Sequence, residues 1–112
     1  AFSINGLSIF NPNEFNFKQI VLKSKPVSIY FDINTDSYWI TTEDSGIIVL
    51  DAKFEIKKGF SFDPLNPLSV SSSRFTGENK IVFNNPNAFV GTGNGFNIFN
   101  KERQTFKRYY IL

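Results

Sequence analysis

The chain contains no cysteine, no histidine and no methionine, and only one tryptophan, Trp39. Without cysteine there is neither a disulfide framework nor a thiolate metal site, and the redox compartment stays open. Without histidine or cysteine, the usual nucleophile–base triads and a general base titrating near neutral pH are missing, so no catalytic residues are assigned and no enzyme is expected. The lack of methionine leads to the expectation of a processed or excised piece of a longer product. Charge of one sign is scarce as well. Twelve Lys and Arg against ten Asp and Glu leave a net +2, which gives no reason to expect a nucleic-acid partner or an acidic membrane surface. No apolar run approaches the ~18 residues of a membrane-spanning helix. Ala1 to Ile4 has neither the basic start nor the apolar core of a signal peptide, so no direct membrane insertion is expected of this piece.

What the chain does have is phenylalanine, 14 of its 112 residues, within an aromatic share of 17% that argues against disorder. It also has a repeat. Gly6-Leu-Ser-Ile-Phe-Asn11, Gly46-Ile-Ile-Val-Leu-Asp51 and Gly95-Phe-Asn-Ile-Phe-Asn100 share one pattern: Gly, apolar, any residue, two apolars, then Asn or Asp. Self-similarity of this kind is the signature of a repeat architecture. Around each copy lie short runs of strand composition separated by turn residues: Asn11-Pro12-Asn13, Asn34-Thr35-Asp36-Ser37, Ser45-Gly46, Asn84-Asn85-Pro86-Asn87 and Gly93-Asn94. The runs themselves are 7–10, 15–22, 27–33, 38–42, 47–50, 54–62, 80–83, 88–92, 95–99 and 105–112. Residues 1–5 read as the tail of one more strand. No stretch sustains an i, i+3, i+4 apolar stripe, so essentially no helix is expected.

The Gly anchors are 40 and 49 residues apart. Four short strands per unit of about 40–50 residues is the period of a β-propeller blade. The predicted fold is therefore all-β, with antiparallel four-stranded blades. About two and three-quarter blades make an incomplete β-propeller: the last three strands of one blade over 1–22, then complete blades over 23–63 and 64–112. A second register mark agrees, since Asn11 to Phe17 and Asn100 to Phe106 have equal spacing. In the middle unit Lys57 falls at that place, so its outer strand is expected to use Phe54 and Ile56 instead. A β-sandwich is the rival architecture, but a sandwich does not require the same hexapeptide three times.

Ile29-Tyr-Phe-Asp32, Tyr38-Trp-Ile-Thr-Thr42 and Gly46 to Asp51, with Ala88-Phe-Val-Gly-Thr-Gly-Asn-Gly-Phe-Asn-Ile-Phe-Asn100, resemble the two-component regulator propeller repeat. In that family a Trp-Ile-Gly-Thr strand precedes Gly-Gly-Leu and an apolar strand ending in Asp. The connector Asp63 to Ser73 is similar to the family's inter-blade linker. Thr41 stands where the family has Gly, Phe89 where it has Trp, and Ala1 to Asn5 matches poorly. The resemblance implies an extracytoplasmic, periplasmic sensor region. It also implies a parent protein with a histidine kinase outside this stretch, as in hybrid kinases of Bacteroides-like bacteria, and an oligosaccharide ligand. A protein-binding scaffold without a small ligand is the alternative, and a non-catalytic part of a propeller enzyme a second.

A ring of blades needs about four to eight members to close. One blade face of roughly 350 Å² represents up to ~9 kcal/mol if wholly apolar. The remaining blades, or further copies of the same chain, are the expected partners. For a ligand, Trp39 and Tyr38 are the candidate contacts, against a packing role for Trp39 between neighbouring sheets. Asp32-Ile-Asn34-Thr-Asp36, with Glu43 twelfth in the series, imitates the opening of a calcium loop. Ser37 stands where that loop needs Gly, and the following residues read as strand, so a plain hairpin is expected and no metal or cofactor is assigned. Asp32, Asp36, Glu43 and Asp44 are read as turn formers. Gly91-Thr-Gly93-Asn-Gly95 lacks the Lys-Ser/Thr and helix of a phosphate loop. Lys53, Lys57, Lys58, Lys101, Arg103, Lys107 and Arg108 fall on or beside the predicted outermost strands, where charge keeps an exposed edge from pairing.

Overall fold

The computed structural model describes residues 6–11 and 16–110. Ten strands follow one another: β1 (Gly6–Asn11), β2 (Asn16–Val21), β3 (Pro26–Asp32), β4 (Ser37–Thr42), β5 (Ile47–Leu50), β6 (Ile56–Phe60), β7 (Ile81–Asn84), β8 (Asn87–Thr92), β9 (Gly95–Asn100) and β10 (Thr105–Tyr110). No helix occurs among the described residues. The strands form three sheets with sequential neighbours paired: β1-β2, β3-β4-β5-β6 and β7-β8-β9-β10. Every pairing is antiparallel, and no sheet closes on itself among the described residues. The expected strand over residues 1–5 and most of the Asn11-Pro12-Asn13 turn lie outside the described residues, so the first sheet is described as two strands.

The repeated hexapeptide has a physical explanation at each end. Gly46 and Gly95 adopt φ of 78° and 130°, where side chains are strained. A Cβ on Gly46 would meet the Phe60 carbonyl oxygen at 2.0 Å, and one on Gly95 that of Tyr109 at 2.1 Å. The last strand of each four-stranded sheet thus passes directly over the glycine. The preceding threonine completes the turn: the Thr42 hydroxyl donates to Gly46 O at 2.8 Å, and the Thr92 hydroxyl to Gly95 O at 3.3 Å. At the other end the Asn or Asp side chain builds the next turn. Asp51 accepts from the N–H groups of Lys53 and Glu55, and Asn100 from that of Arg103.

Alternation along β4 and β5 sends successive residues to opposite faces. Trp39, Ile47 and Val49 join Val70, Phe75, Ile81, Ala88, Val90, Phe99 and Phe106 in one core, between the middle and last sheets. Ile40 and Leu50 join Leu7, Ile20 and Leu22 in a second, between the first and middle sheets. The middle sheet is therefore apolar on both faces. The connector from Ser61 to Lys80 is fastened along its length. Gly46 N–H donates to Ser73 O, Phe75 N–H to Thr42 O, and Phe106 N–H to Leu68 O.

One strand differs from its sequence reading. The stretch 54–62 was expected to be a single strand, yet Phe54 has φ of 64° and only Ile56–Phe60 pairs with β5. The register there slips: Val49 lies opposite Lys58 and Leu50 opposite Ile56, which leaves Lys57 as an inserted residue. In the last sheet Phe99 lies opposite Phe106 without such a slip. The place of Phe106 thus falls to Ile56, not Lys57. A turn one residue shorter and a bulge one residue longer offset each other, so linear spacing conceals both.

Candidate functional site

One concavity among the described residues lies where the middle and last sheets meet, at the end carrying the β3–β4, β5–β6 and β9–β10 turns. It has a volume of about 340 Å³, and its lining includes Asp32, Trp39, Val49, Lys57, Lys58 and Lys101. That is near the small end of the ~300–1,000 Å³ range of small-molecule sites.

Its apolar floor comes from the core. Trp39 is 3% exposed and packs its ring against Phe60, Phe83 and Phe99 at centroid distances of 5.6, 5.5 and 5.2 Å. Tyr38, the other candidate ligand contact, points to the opposite face of the same strand and packs between Phe31 and Phe54. The structure does not bring the two candidates together. Trp39 borders the cavity and Tyr38 does not.

The polar wall begins with Asp32 at the end of β3, 1% exposed. Its carboxylate accepts from Asn34 N–H at 3.2 Å and the Thr35 hydroxyl at 2.9 Å. It pairs with Lys101 Nζ at 2.6 Å across the sheet interface. Lys101 also donates to Asn85 Oδ1 at 3.3 Å and lies over the Phe83 ring. Lys101 was expected to guard a sheet edge; it is instead the tie between the last sheet's outer turn and the middle sheet. Asp32 is likewise more than a turn former. Asp36, in the turn, takes a left-handed φ of 48°, while Glu43 and Asp44 are exposed at the β4–β5 turn. No group of three or more acidic side chains close enough to hold a metal occurs among the described residues. Gly91 to Gly95 spans the end of β8, a two-residue turn and the start of β9.

The remaining wall is basic. Lys57 Nζ lies 3.5 Å from the Asp51 carboxylate. Asp51 is held below the usual carboxylate range chiefly by the N–H of Glu55; loss of hydration is the next-largest effect and opposes it, and the N–H of Lys53 and the charge of Lys57 add smaller lowering contributions. Lys58 donates to the Gln104 side-chain oxygen and lies over the Phe60 ring. Loss of hydration lowers Lys58 below its ordinary value, although the residue as a whole remains exposed. Arg108 has another task than edge protection: it donates to the carbonyls of Ser69 and Asn66 at 2.8 Å each, pinning the connector to β10. Sequence reading assigned these cations a generic place because their partners are up to 69 residues away in the chain, as Lys101 is from Asp32.

A scan against protein-family models matches none, and a search of curated proteins also finds no match. The chain's class therefore rests on its own strands: an all-β protein of antiparallel sheets packed face to face.

Proposed function

We propose that this chain is a run of blades from a larger β-propeller of the two-component regulator type, acting as a non-catalytic, extracytoplasmic sensor that binds an oligosaccharide. The observation that carries this reading is a repeated face. In the middle sheet Tyr30, Trp39, Val49 and Phe60 lie on the face turned toward the last sheet. Strand register gives each a counterpart in the last sheet: Val82, Phe89, Ile98 and Tyr109. Those four lie on the last sheet's other face, where no buried cluster forms among the described residues. Val82 is 58% exposed there and Phe96 46%. A face built for stacking at each unit is what an extended series of sheets requires.

The binding rather than catalytic role is supported by the absence of histidine and cysteine from the whole sequence and by a cavity with a mixed apolar and charged lining. The signalling kinase and the periplasmic setting follow from the repeat resemblance alone. The test uses Trp39, the one tryptophan, as an internal reporter beside the cavity. Titrating the chain with a panel of oligosaccharides should give a saturable change in its fluorescence for at least one member. A flat response to the whole panel would favour a scaffold without a small ligand. Light scattering should also find the chain self-associated, because its open faces then cover one another; a well-behaved monomer would argue against the series of sheets.

A further inference from the structure

We infer that the outer face of the last sheet is an interface with a second copy of this chain, which covers it with the outer face of its own first sheet, so that two copies join head to tail into a closed pair. This rests on the reading of the sheets as propeller blades and names the occupant of the open face.

The sheets stack in one sense only. Each has a leading face, that of Trp39 in the middle sheet, and a trailing face, that of Ile40. Trp39, Ile47 and Val49 of the middle sheet meet Ile81, Val90, Phe99 and Phe106 of the last. Leu7 and Ile20 of the first sheet meet Ile40 and Leu50 of the middle one. Leu7 follows its glycine as Ile47 and Phe96 follow theirs, and Ile20 lies opposite Leu7 as Tyr109 lies opposite Phe96. Both interfaces are therefore leading face on trailing face. Two faces carry no sheet among the described residues: the leading face of the last sheet and the trailing face of the first. The same stacking step fits one to the other. Three sheets are too few for one chain to close on itself, so the two faces meet between copies.

Register repeats the contact residue by residue. On the trailing face of the last sheet Phe99 lies opposite Phe106, and this pair covers the middle sheet. Phe99 reaches Trp39 and Phe60 at 5.2 and 4.9 Å between ring centroids, and Phe106 reaches Phe60 at 5.3 Å. Positions 10 and 17 of the first sheet lie opposite each other in the same register, and both are phenylalanine. The surface they would meet is repeated as well. Phe89 stands for Trp39 and Tyr109 for Phe60, on a leading face where Phe96 is 46% and Tyr109 36% exposed. Val82 on β7 is the counterpart of Tyr30. The two described strands of the first sheet include none that matches β7, so Val82 lies beyond the contact.

Charge fits the first sheet to this place. Lys101, the residue after Asn100, is paired with Asp32, and on β7 the place of Asp32 is taken by the neutral Asn84. A trailing face like that of the last sheet would bury a lysine there without a carboxylate. In the first sheet the residue after Asn11 is Pro12, neutral against neutral. Head-to-tail contacts generate rings where the rotation closes. Two copies of three sheets make six, within the about four to eight of closed propellers, and three copies exceed that range. The closed pair also has two interfaces. A single contact of roughly 350 Å² per side is small for a specific complex.

The experiment is cross-linking of the full chain, which has no cysteine of its own. A Phe17→Cys chain mixed with a Tyr109→Cys chain and treated with a short bismaleimide should give a covalent dimer, and neither variant alone should. Light scattering should find twice the mass of one chain. Tyr109→Asp should return it to the mass of one chain, whereas Val82→Asp keeps the pair. The cross-link decides if the near-ultraviolet circular dichroism of Tyr109→Asp departs from the parent. A link in the Tyr109→Cys chain alone means that two leading faces meet, and overturns the head-to-tail inference. Self-association with no link between positions 17 and 109, or equal loss of the pair in both Asp variants, also overturns it and leaves the series of sheets standing. A monomer at every concentration overturns both.

Discussion

The middle and last sheets carry the same design on corresponding faces and meet different surroundings. Trp39 and Phe89 occupy equivalent positions, opposite Val49 and Ile98 respectively. Trp39 is 3% exposed, while Phe89 is only half-buried. Ile47, buried completely, has Phe96 as its counterpart, 46% exposed. The difference lies in what is stacked on each face and not in the strands. The same comparison holds on the other side. Ile81 on β7 is 5% exposed beneath the middle sheet, and its counterpart Ile29 on β3 is 42% exposed, because the two described strands of the first sheet leave β3 uncovered. The polar ends diverge as well. Asp32 and Asp51 of the middle sheet correspond to Asn84 and Asn100 in the last, so the charged cavity is specific to one interface.

The sharpest way to break this comparison is to truncate one aromatic on each side. Phe99 is fully buried and touches Trp39, Phe60 and Phe106. Phe99→Ala should cost about 3–5 kcal/mol in denaturant unfolding. Phe96→Ala removes a ring of equal size whose one aromatic neighbour among the described residues is Tyr109, at 4.9 Å, and should cost the isolated monomer about 1 kcal/mol. Measured in an assembled or extended form of the protein, the Phe96 loss should rise toward that of Phe99. Equal losses in the isolated monomer would mean that the outer face is already covered.

The turn glycines provide a second, smaller contrast. Gly95→Ala sets a Cβ against the Tyr109 carbonyl at a strained φ and should destabilise by about 2 kcal/mol or more. Gly93→Ala, two residues away with nothing within 4 Å of the added atom, should change stability by at most about 0.5 kcal/mol. These glycines also indicate what the sequence made legible. The Gly–apolar–Asn/Asp pattern reports strictly local needs, a left-handed turn at one end and an Asx turn at the other. Strand order and the two four-stranded sheets could accordingly be read from it. The cavity could not. Its wall depends on Lys101 reaching Asp32 and on a bulge at Lys57 concealed by a compensating short turn, and neither leaves a local signature. Tyr38 and Trp39 are both candidate ligand contacts from the sequence, and as neighbours in a strand they lie on opposite faces.

The smallest effect concerns Thr41, which stands on β4 where β8 has Gly91. Thr41 is fully buried, and its hydroxyl has no hydrogen-bond partner among the described residues. A buried hydroxyl without a partner costs about 1–3 kcal/mol relative to its hydrated state. Thr41→Val keeps the branched shape and removes that group, so it should stabilise the chain by about 1 kcal/mol, raising the denaturant midpoint without changing the slope. Thr41→Gly copies the last sheet's residue instead and should destabilise by about 1–2 kcal/mol, since it empties space in a covered face and frees the unfolded backbone. Opposite signs for the two variants would locate the difference between β4 and β8 in packing. The side chain at 41 fills an interface between two sheets, whereas no sheet among the described residues packs on the face that carries Gly91. A loss with valine as well would instead mean that the hydroxyl is held by an ordered water, and that the middle sheet retains Thr41 for a hydrogen bond.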